Sequence, residues 1–296
     1  MRALRWSDLP GWDRDDHAAA WAAFSMPGAP SADPPSDPRA WFEARFDPVE
    51  VAPAGQAHFT GYYEPELPGA RARSARFCAP LHAPPPDLGP ETPWHDRATI
   101  LRADLLAGHE LVWLESPLEA FLAQVQGSLR VRLQEGGTLR LGYAGRNGRP
   151  YRSIGAELVR RGVAPPEGMS IAVIRRWCAD NPGAVAELLN TNPSFVFFRE
   201  CDLPEGQGPI GAQGVALSAL RSLAVDPGIV PLGTPVWIDC PGLSPRLMVA
   251  QDTGSAIRGA GRGDIFFGSG DAAGLAAGAM NARGRMVALW PRGRAA

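Results

Sequence analysis

No stretch of the 296-residue sequence approaches the ~20 consecutive apolar residues that a helix needs to cross a bilayer, so no transmembrane segment is expected. Net charge is also lacking. With 29 basic and 31 acidic residues, no field of one sign argues for nucleic acid or an anionic membrane as partner. The four cysteines, Cys78, Cys178, Cys201 and Cys240, lie far apart, with no Cys-x-x-Cys and no histidine at ligand spacing. A zinc site is therefore excluded from the reading, and neither a metal nor a cofactor is expected. One or two disulfides would suit an exported chain; buried free thiols are the alternative. The first ten residues lack the apolar segment of a signal peptide, which leaves a cytoplasmic chain or one whose leader is absent from it.

What is present is an ordinary globular balance, long enough for one large or two ordinary domains. The basic residues are arginine, and alanine, glycine and proline are abundant, which reflects genomic base composition more than physics. Thirty prolines and 34 glycines favour short strands with frequent turns over long helices.

Taken in order, residues 13–26 read as a helix in which Asp16 accepts from first-turn amides, with Ala18, Trp21, Ala22 and Phe24 as its apolar stripe and Pro27 as its end. Residues 31–38 form a proline-rich connector, and 38–46 a short second helix. Gln56 to Leu67 has strand composition, with Tyr62 and Tyr63 paired near its end. A proline-rich surface excursion over 71–93 follows. Ser116-Pro117-Leu118-Glu119 is a capping box opening a helix that ends at Gln126-Gly127-Ser128, and residues 129–133 and 139–143 alternate as a hairpin around Gly136-Gly137. The hairpin leads into a loop, 143–155, that packs Tyr143, Arg146, Asn147, Tyr151, Arg152 and Ser153 between glycines. That mixture suits a polyhydroxylated ligand carrying an occasional carboxylate, and equally a solvated turn. Short helices at 156–161, 170–178 and 184–189 and a buried strand at 194–198 complete a self-contained α+β region over 96–200.

Strands dominate again from Gly214. The apolar run 247–250 ends at Asp252, and Ile265-Phe266-Phe267 follows Asp264, so each carboxylate should sit at the end of a buried strand, where an acid is desolvated. Glycines 254, 259, 261 and 263 between them would let backbone approach a ligand closely. Asp271 is expected to cap a small-residue helix running to Met280. Asp226 before Pro227 reads as a turn residue or a support for the site.

Several long motifs match a known family at once and in order: Phe59-Thr60-Gly61-Tyr62-Tyr63, Val125-Gln126-Gly127-Ser128, Tyr143 to Gly148 with Tyr151 to Gly155, and Asn192-Pro193-Ser194-Phe195-Val196-Phe197-Phe198. From about residue 56 onward the chain resembles the MltA family, membrane-bound lytic transglycosylase A. Its carboxyl part looks like the three-aspartate (3D) domain, with Asp226, Asp252 and Asp264 in the pattern's positions.

The resemblance implies a mainly β, α+β fold with peripheral helices. A double-psi β-barrel would be formed from both chain ends (1–65 and 201–296), with an inserted second β-rich domain (66–200) and the glycan in the groove between them. It implies a monomer acting on peptidoglycan glycan strands in the periplasm, associated with the outer membrane. The bond between N-acetylmuramic acid and N-acetylglucosamine would be cleaved without water, leaving a 1,6-anhydromuramoyl end. Because the muramic C6 hydroxyl is then the nucleophile, one carboxyl suffices as acid and then base, and the resemblance maps it onto Asp264.

Such an acid needs a raised pKa, to about 6 by analogy with the buried acid of lysozyme. Asp252, beside Thr253, Gly254 and Ser255, would stay ionised and favour the cationic transition state. Tyr62, Tyr63, Gln126, Gly127, Ser128, Tyr143, Arg146, Asn147, Tyr151, Arg152, Ser153 and Gly254 are the expected substrate contacts. The family position before the acid is often bulky, whereas Gly263 here suggests a more mobile loop. Two other readings remain: a non-catalytic wall-polysaccharide-binding module, and a homodimeric aspartic protease using Asp252-Thr253-Gly254, which lacks the second such motif that a protease of this length needs.

Overall fold

The computed structural model describes residues 2–25, 34–89 and 93–293. Pro27, the start of the connector at 31–33 and residues 90–92 of the proline-rich segment lie outside the described residues. The chain forms two compact units, the first from residues 1–63 and 205–296, the second from 64–204.

In chain order the elements are β1 (Arg2–Ala3), α1 (His17–Phe24), α2 (Pro38–Arg45), β2 (Phe46–Glu64), β3 (Glu66–Ala70), β4 (Ala79–His82), α3 (Arg97–Arg102), β5 (Glu110–Leu114), α4 (Pro117–Gln126), β6 (Ser128–Leu133) and β7 (Thr138–Arg146). They continue with α5 (Ile154–Arg160), α6 (Ile171–Asp180), α7 (Val185–Asn190), β8 (Val196–Glu200), β9 (Ser222–Ala224), β10 (Pro235–Cys240), β11 (Leu243–Asp252), β12 (Arg262–Ser269), α8 (Gly270–Ala279) and β13 (Asn281–Pro291).

The first unit is a closed barrel. Its strands run β2-β12-β9-β11-β10-β13, and β13 pairs back onto β2 to seal the ring, with β1 appended to β2. The closing pair extends from Asn281↔Thr60 to Pro291↔Phe46. β9 lies antiparallel to β12 but parallel to β11, an arrangement consistent with the double-psi β-barrel. Side-chain alternation explains why these strands read as near-continuous apolar runs. Val236, Ile238, Met248, Ala250 and Met286 point into the barrel core with Phe59 and Ile265, while the intervening Trp237, Leu247, Val287 and Leu289 pack outward beneath Trp12, Trp21 and Phe42. Both faces are buried.

The second unit is a six-stranded sheet, β4-β5-β3-β6-β7-β8, in which only the β3–β6 pair is parallel. Gly136 and Gly137, both at positive φ, make the β6–β7 hairpin turn. Ser116 accepts from the Glu119 amide at the start of α4, and Gly127 takes the left-handed conformation that ends it. Leu118, Phe121, Leu122 and helices α5 to α7 form a second hydrophobic cluster beside the sheet.

The fold class is the one expected, mainly β with peripheral helices, but four local expectations change. α1 begins at His17 and buries His17, Ala20, Trp21 and Ala23 instead of the stripe containing Ala18 and Ala22. A segment with alanine on every side carries no phase. The surface excursion contains β4, which buries Leu81; Pro80 is tolerated because β4 is an edge strand. Ser269 holds the N-cap position of α8, and Asp271 falls inside its first turn. Gly263 lies within β12, not in a loop.

Candidate active site

β9 is the short central strand on which the candidate site is built. Ala224 pairs with Asp252 of β11 on one side and with Asp264 of β12 on the other, which sets the two aspartates about 10 Å apart in Cα position, flanking one residue. Strand β2 supplies the groups that meet them. His58, Thr60 and Tyr62 alternate with Phe59, which is buried, and Gly61, so the period of two brings one hydroxyl to each carboxylate.

The Thr60 hydroxyl donates to Asp264 Oδ1 at 2.5 Å and accepts from Arg262 Nη2 at 2.7 Å. The Arg262 bond fixes where the hydroxyl proton points, because an oxygen that accepts from a guanidinium turns its own proton toward the carboxylate. Asp264 remains partly exposed. Burial pushes its carboxyl above the ordinary 3.8, opposed by the Thr60 hydrogen bond and by Arg262, and helped by the negative charge of Asp252.

Asp252 has a richer set of donors. Tyr62 Oη donates to Oδ2 at 2.8 Å, and the Ala212 and Thr253 amides donate to Oδ1 at 3.0 and 2.9 Å. Burial raises this carboxyl too, against the pull of those three bonds. Among the described residues the aspartates therefore differ in hydrogen-bond donors: three stabilise the charged form of Asp252, one that of Asp264. Tyr62 itself is buried with its ring 5.3 Å from Phe266, so it serves the carboxylate and offers no open aromatic face. Tyr63 lies against Gly274, whose missing Cβ leaves room for the ring.

Asp226 sits in the turn after β9. Its carboxylate accepts from the Gly228 amide at 3.2 Å and the Gly259 amide at 2.8 Å, and these bonds hold its pKa below the usual value. It ties down the segment between Asp252 and Asp264. The glycines of that segment serve turns and packing rather than ligand access. Gly259 and Gly261 have positive φ, and a Cβ on Gly263 would fall 2.9 Å from the Phe59 ring. Gly254 is likewise closed, by Ile257 at 2.8 Å.

The remaining expected contacts all belong to the second unit. Asn147 is fully buried and its side chain is saturated: Nδ2 donates to the carbonyls of His95 and Pro193, both at 2.8 Å, while Oδ1 accepts from the amides of Phe195 and Arg149. No hydrogen-bonding capacity is left for a ligand. Ser153 caps α5 by accepting from Ala156, and Gly127 is the helix stop already described. Ser128 is buried at the start of β6, with Gln126 partly exposed ahead of it. Tyr143, Arg146 and Arg152 are exposed, and Tyr151 is half-buried.

Three residues escaped the sequence reading. Thr60 lies within the quoted Phe59 to Tyr63 motif and Arg262 two residues before Asp264, and the alternation of polar residues at 58, 60 and 62 was the available signal. Arg97 gave no local signal at all. It is a buried arginine whose partners come from residues 124, 192 and 194.

Comparison with known proteins shows the family of the chain. The MltA specific insert domain matches residues 58–199, and the 3D domain matches residues 221–290. The membrane-bound lytic murein transglycosylase A of Escherichia coli K12 is 38% identical over 248 residues, covering 79% of this chain and 66% of that protein. The chain thus spans just under two thirds of the length of that relative. The crystal structure of a membrane-bound lytic murein transglycosylase from Agrobacterium tumefaciens superposes with a TM-score of 0.85 at 32% identity, covering 98% of this chain and 97% of that one. That of Escherichia coli MltA with bound chitohexaose gives 0.74 at 34% identity, covering 83% and 75%. A closed barrel that carries the 3D match and a β-rich unit that carries the insert-domain match define the class. The chain belongs to the MltA family of lytic murein transglycosylases with a 3D domain.

Proposed function

We propose that this protein is a peptidoglycan lytic transglycosylase, cleaving the β-1,4 bond between N-acetylmuramic acid and N-acetylglucosamine to leave 1,6-anhydromuramoyl ends. The observation that carries the reading is the surroundings of Asp264: a partly exposed carboxyl, raised by burial, with a single hydroxyl donor on one oxygen. Thr60 occupies Oδ1, so Oδ2 carries the acid proton toward the glycosidic oxygen. As the bond breaks, positive charge develops on the muramic ring, and ionised Asp252, held by Tyr62 and two amides, stabilises it. Asp264, now a carboxylate, takes the proton from the C6 hydroxyl as that oxygen closes on C1.

In this reading the barrel formed from residues 1–65 and 201–296 is the catalytic domain, and Asp226 supports it by fixing the 252–264 segment. Glycan contacts in the insert fall to Gln126, Tyr143, Arg146, Tyr151 and Arg152, whose side chains reach the surface. The relatives are named as membrane-bound, which supports action at the bacterial wall in the periplasm; that the protein acts there as a monomer is part of the same proposal. Among the described residues no helix is long and apolar enough to cross a membrane.

Purified peptidoglycan incubated with the protein and resolved by mass spectrometry provides the test. Anhydromuramoyl products are expected. Reducing-end products would make the protein a hydrolase, cut peptides a protease, and unchanged sacculi with retained binding a wall-binding module.

A further inference from the structure

Most arginines of the second unit are answered by acids: Arg71 by Glu200, Arg76 by Glu115, Arg130 and Arg140 by Glu64, Arg132 by Glu66, Arg160 and Arg161 by Glu157, and Arg175 by Glu119. Arg97 is the buried exception. Only 4% of it is exposed, yet its partners are all neutral: the Asn192 carbonyl at 3.1 Å from Nε, and the Gln124 amide oxygen at 2.5 Å and the Ser194 carbonyl at 2.6 Å from Nη2. The Phe121 and Phe195 rings lie 4.6 and 4.9 Å from Cζ. No carboxylate among the described residues pairs with it. With nothing negative to offset desolvation, its pKa falls to about 9.

The other half of the guanidinium is uncommitted. Nη1 has two N–H groups and no hydrogen-bond partner among the described residues, and it is not one of the polar atoms sealed away from solvent. Half-buried Tyr151 is the titratable group whose field reaches it, and the exposed Arg152 follows Tyr151 in the same loop, without an acid partner among the described residues. Burying a cation without a counter-ion is costly, and an anion that arrives would offset that cost.

We propose that Arg97 forms an anion subsite in the insert that takes a carboxylate of the glycan substrate. The proposal rests on the peptidoglycan reading above and adds to it a basis for choosing acidic muramoyl strands over neutral chitin-like ones. Two sources carry this chemistry: the lactyl carboxylate of peptide-free muramic acid, and the carboxylates of the stem peptide.

The test measures calorimetric binding to the Asp264→Asn protein at low salt. The ligands are chitohexaose, a peptide-free muramoyl glycan, a peptide-bearing one, and the methyl esters of the last two. Either acid is expected to bind about tenfold more tightly than its own ester, as one charge-assisted hydrogen-bonded contact would give. The acid that shows the difference identifies the source. Arg97→Gln should abolish the acid–ester difference while chitohexaose affinity stays unchanged, and Arg97→Lys should restore part of it. Because the esters probe the subsite without altering the protein, a variant that fails to fold leaves the test standing. Equal affinity of acids and esters for the Asp264→Asn protein, or an undiminished preference in Arg97→Gln, would overturn the subsite while sparing the glycan reading. Binding of none of these glycans would overturn both.

Discussion

In the first unit the carboxyls of Asp252 and Asp264 are held by hydroxyls and amides, with no arginine bonded to either among the described residues. In the second unit the arrangement is inverted: the Arg97 guanidinium is held by carbonyl oxygens and aromatic rings, with no carboxylate. Each unit also contains a closed ion pair for comparison. Arg221 bridges both oxygens of Asp15 at 2.9 and 3.0 Å, and Glu64, 1% exposed, is gripped by Arg130 at 2.7 Å and Arg140 at 2.9 Å. The closed pairs have satisfied one another and hold structure. The open groups are desolvated without a bonded counter-ion, and that is the condition in which a group can exchange a proton or receive a ligand.

The largest expected effect breaks the open side of this comparison. Asp264→Asn removes acid and base together, so release of anhydromuropeptides should fall on the order of 10³-fold. The same variant should unfold at a higher temperature at pH 7. A carboxyl raised above 3.8 on folding makes the folded state bind more protons than the unfolded one between 3.8 and its raised pKa, so stability declines as pH rises through that window. Asparagine cannot ionise and escapes the loss; below pH 3.8 its advantage should vanish. Thermal unfolding at both pH values checks this.

Glu64→Gln breaks the closed side. It leaves two arginines facing a neutral amide, and denaturant unfolding should report a loss of about 3–5 kcal/mol. If instead activity fell and stability held, the division into structural and functional charges would be wrong.

Thr60→Val should sharpen the comparison with the smallest effect. It removes the one hydrogen-bond donor to Asp264 among the described residues, so the alkaline limb of the pH–activity profile should move upward, because the carboxylate has lost the bond that favoured it. A downward move would mean that Thr60 sustains the protonated form.

Much of this was legible in the sequence because it is local. The Asp16 and Ser116 caps, the Gly136-Gly137 hairpin and the placing of Asp252 at the end of a strand follow from neighbouring residues, whereas Asp264 is the third residue of β12. What stayed hidden depends on distant pairing. Residues 281–291 close the barrel on residues 46–60, and no local pattern announces a partner more than two hundred positions away. The same distance conceals the bond from Thr60 to Asp264. Asn147 misled for a related reason. Its motif of glycine, arginine and amide suits a ligand loop, but its four bonds go to backbone at 95, 149, 193 and 195. The glycines around Asp264 were ambiguous because conformational freedom serves a turn, a packed barrel wall or a ligand equally well, and Phe59 decided for the wall at Gly263.

The central claim is that Asp264 enters the reaction protonated because burial outweighs its single hydroxyl donor. Carbon-detected NMR titration of the aspartate side-chain carboxyls, with Asp264 assigned by its absence in the Asp264→Asn spectrum, measures this directly. The account predicts a midpoint above 3.8 that coincides with the alkaline fall in activity. A midpoint at or below 3.8, with activity undiminished, would place the acid elsewhere, first at Asp252.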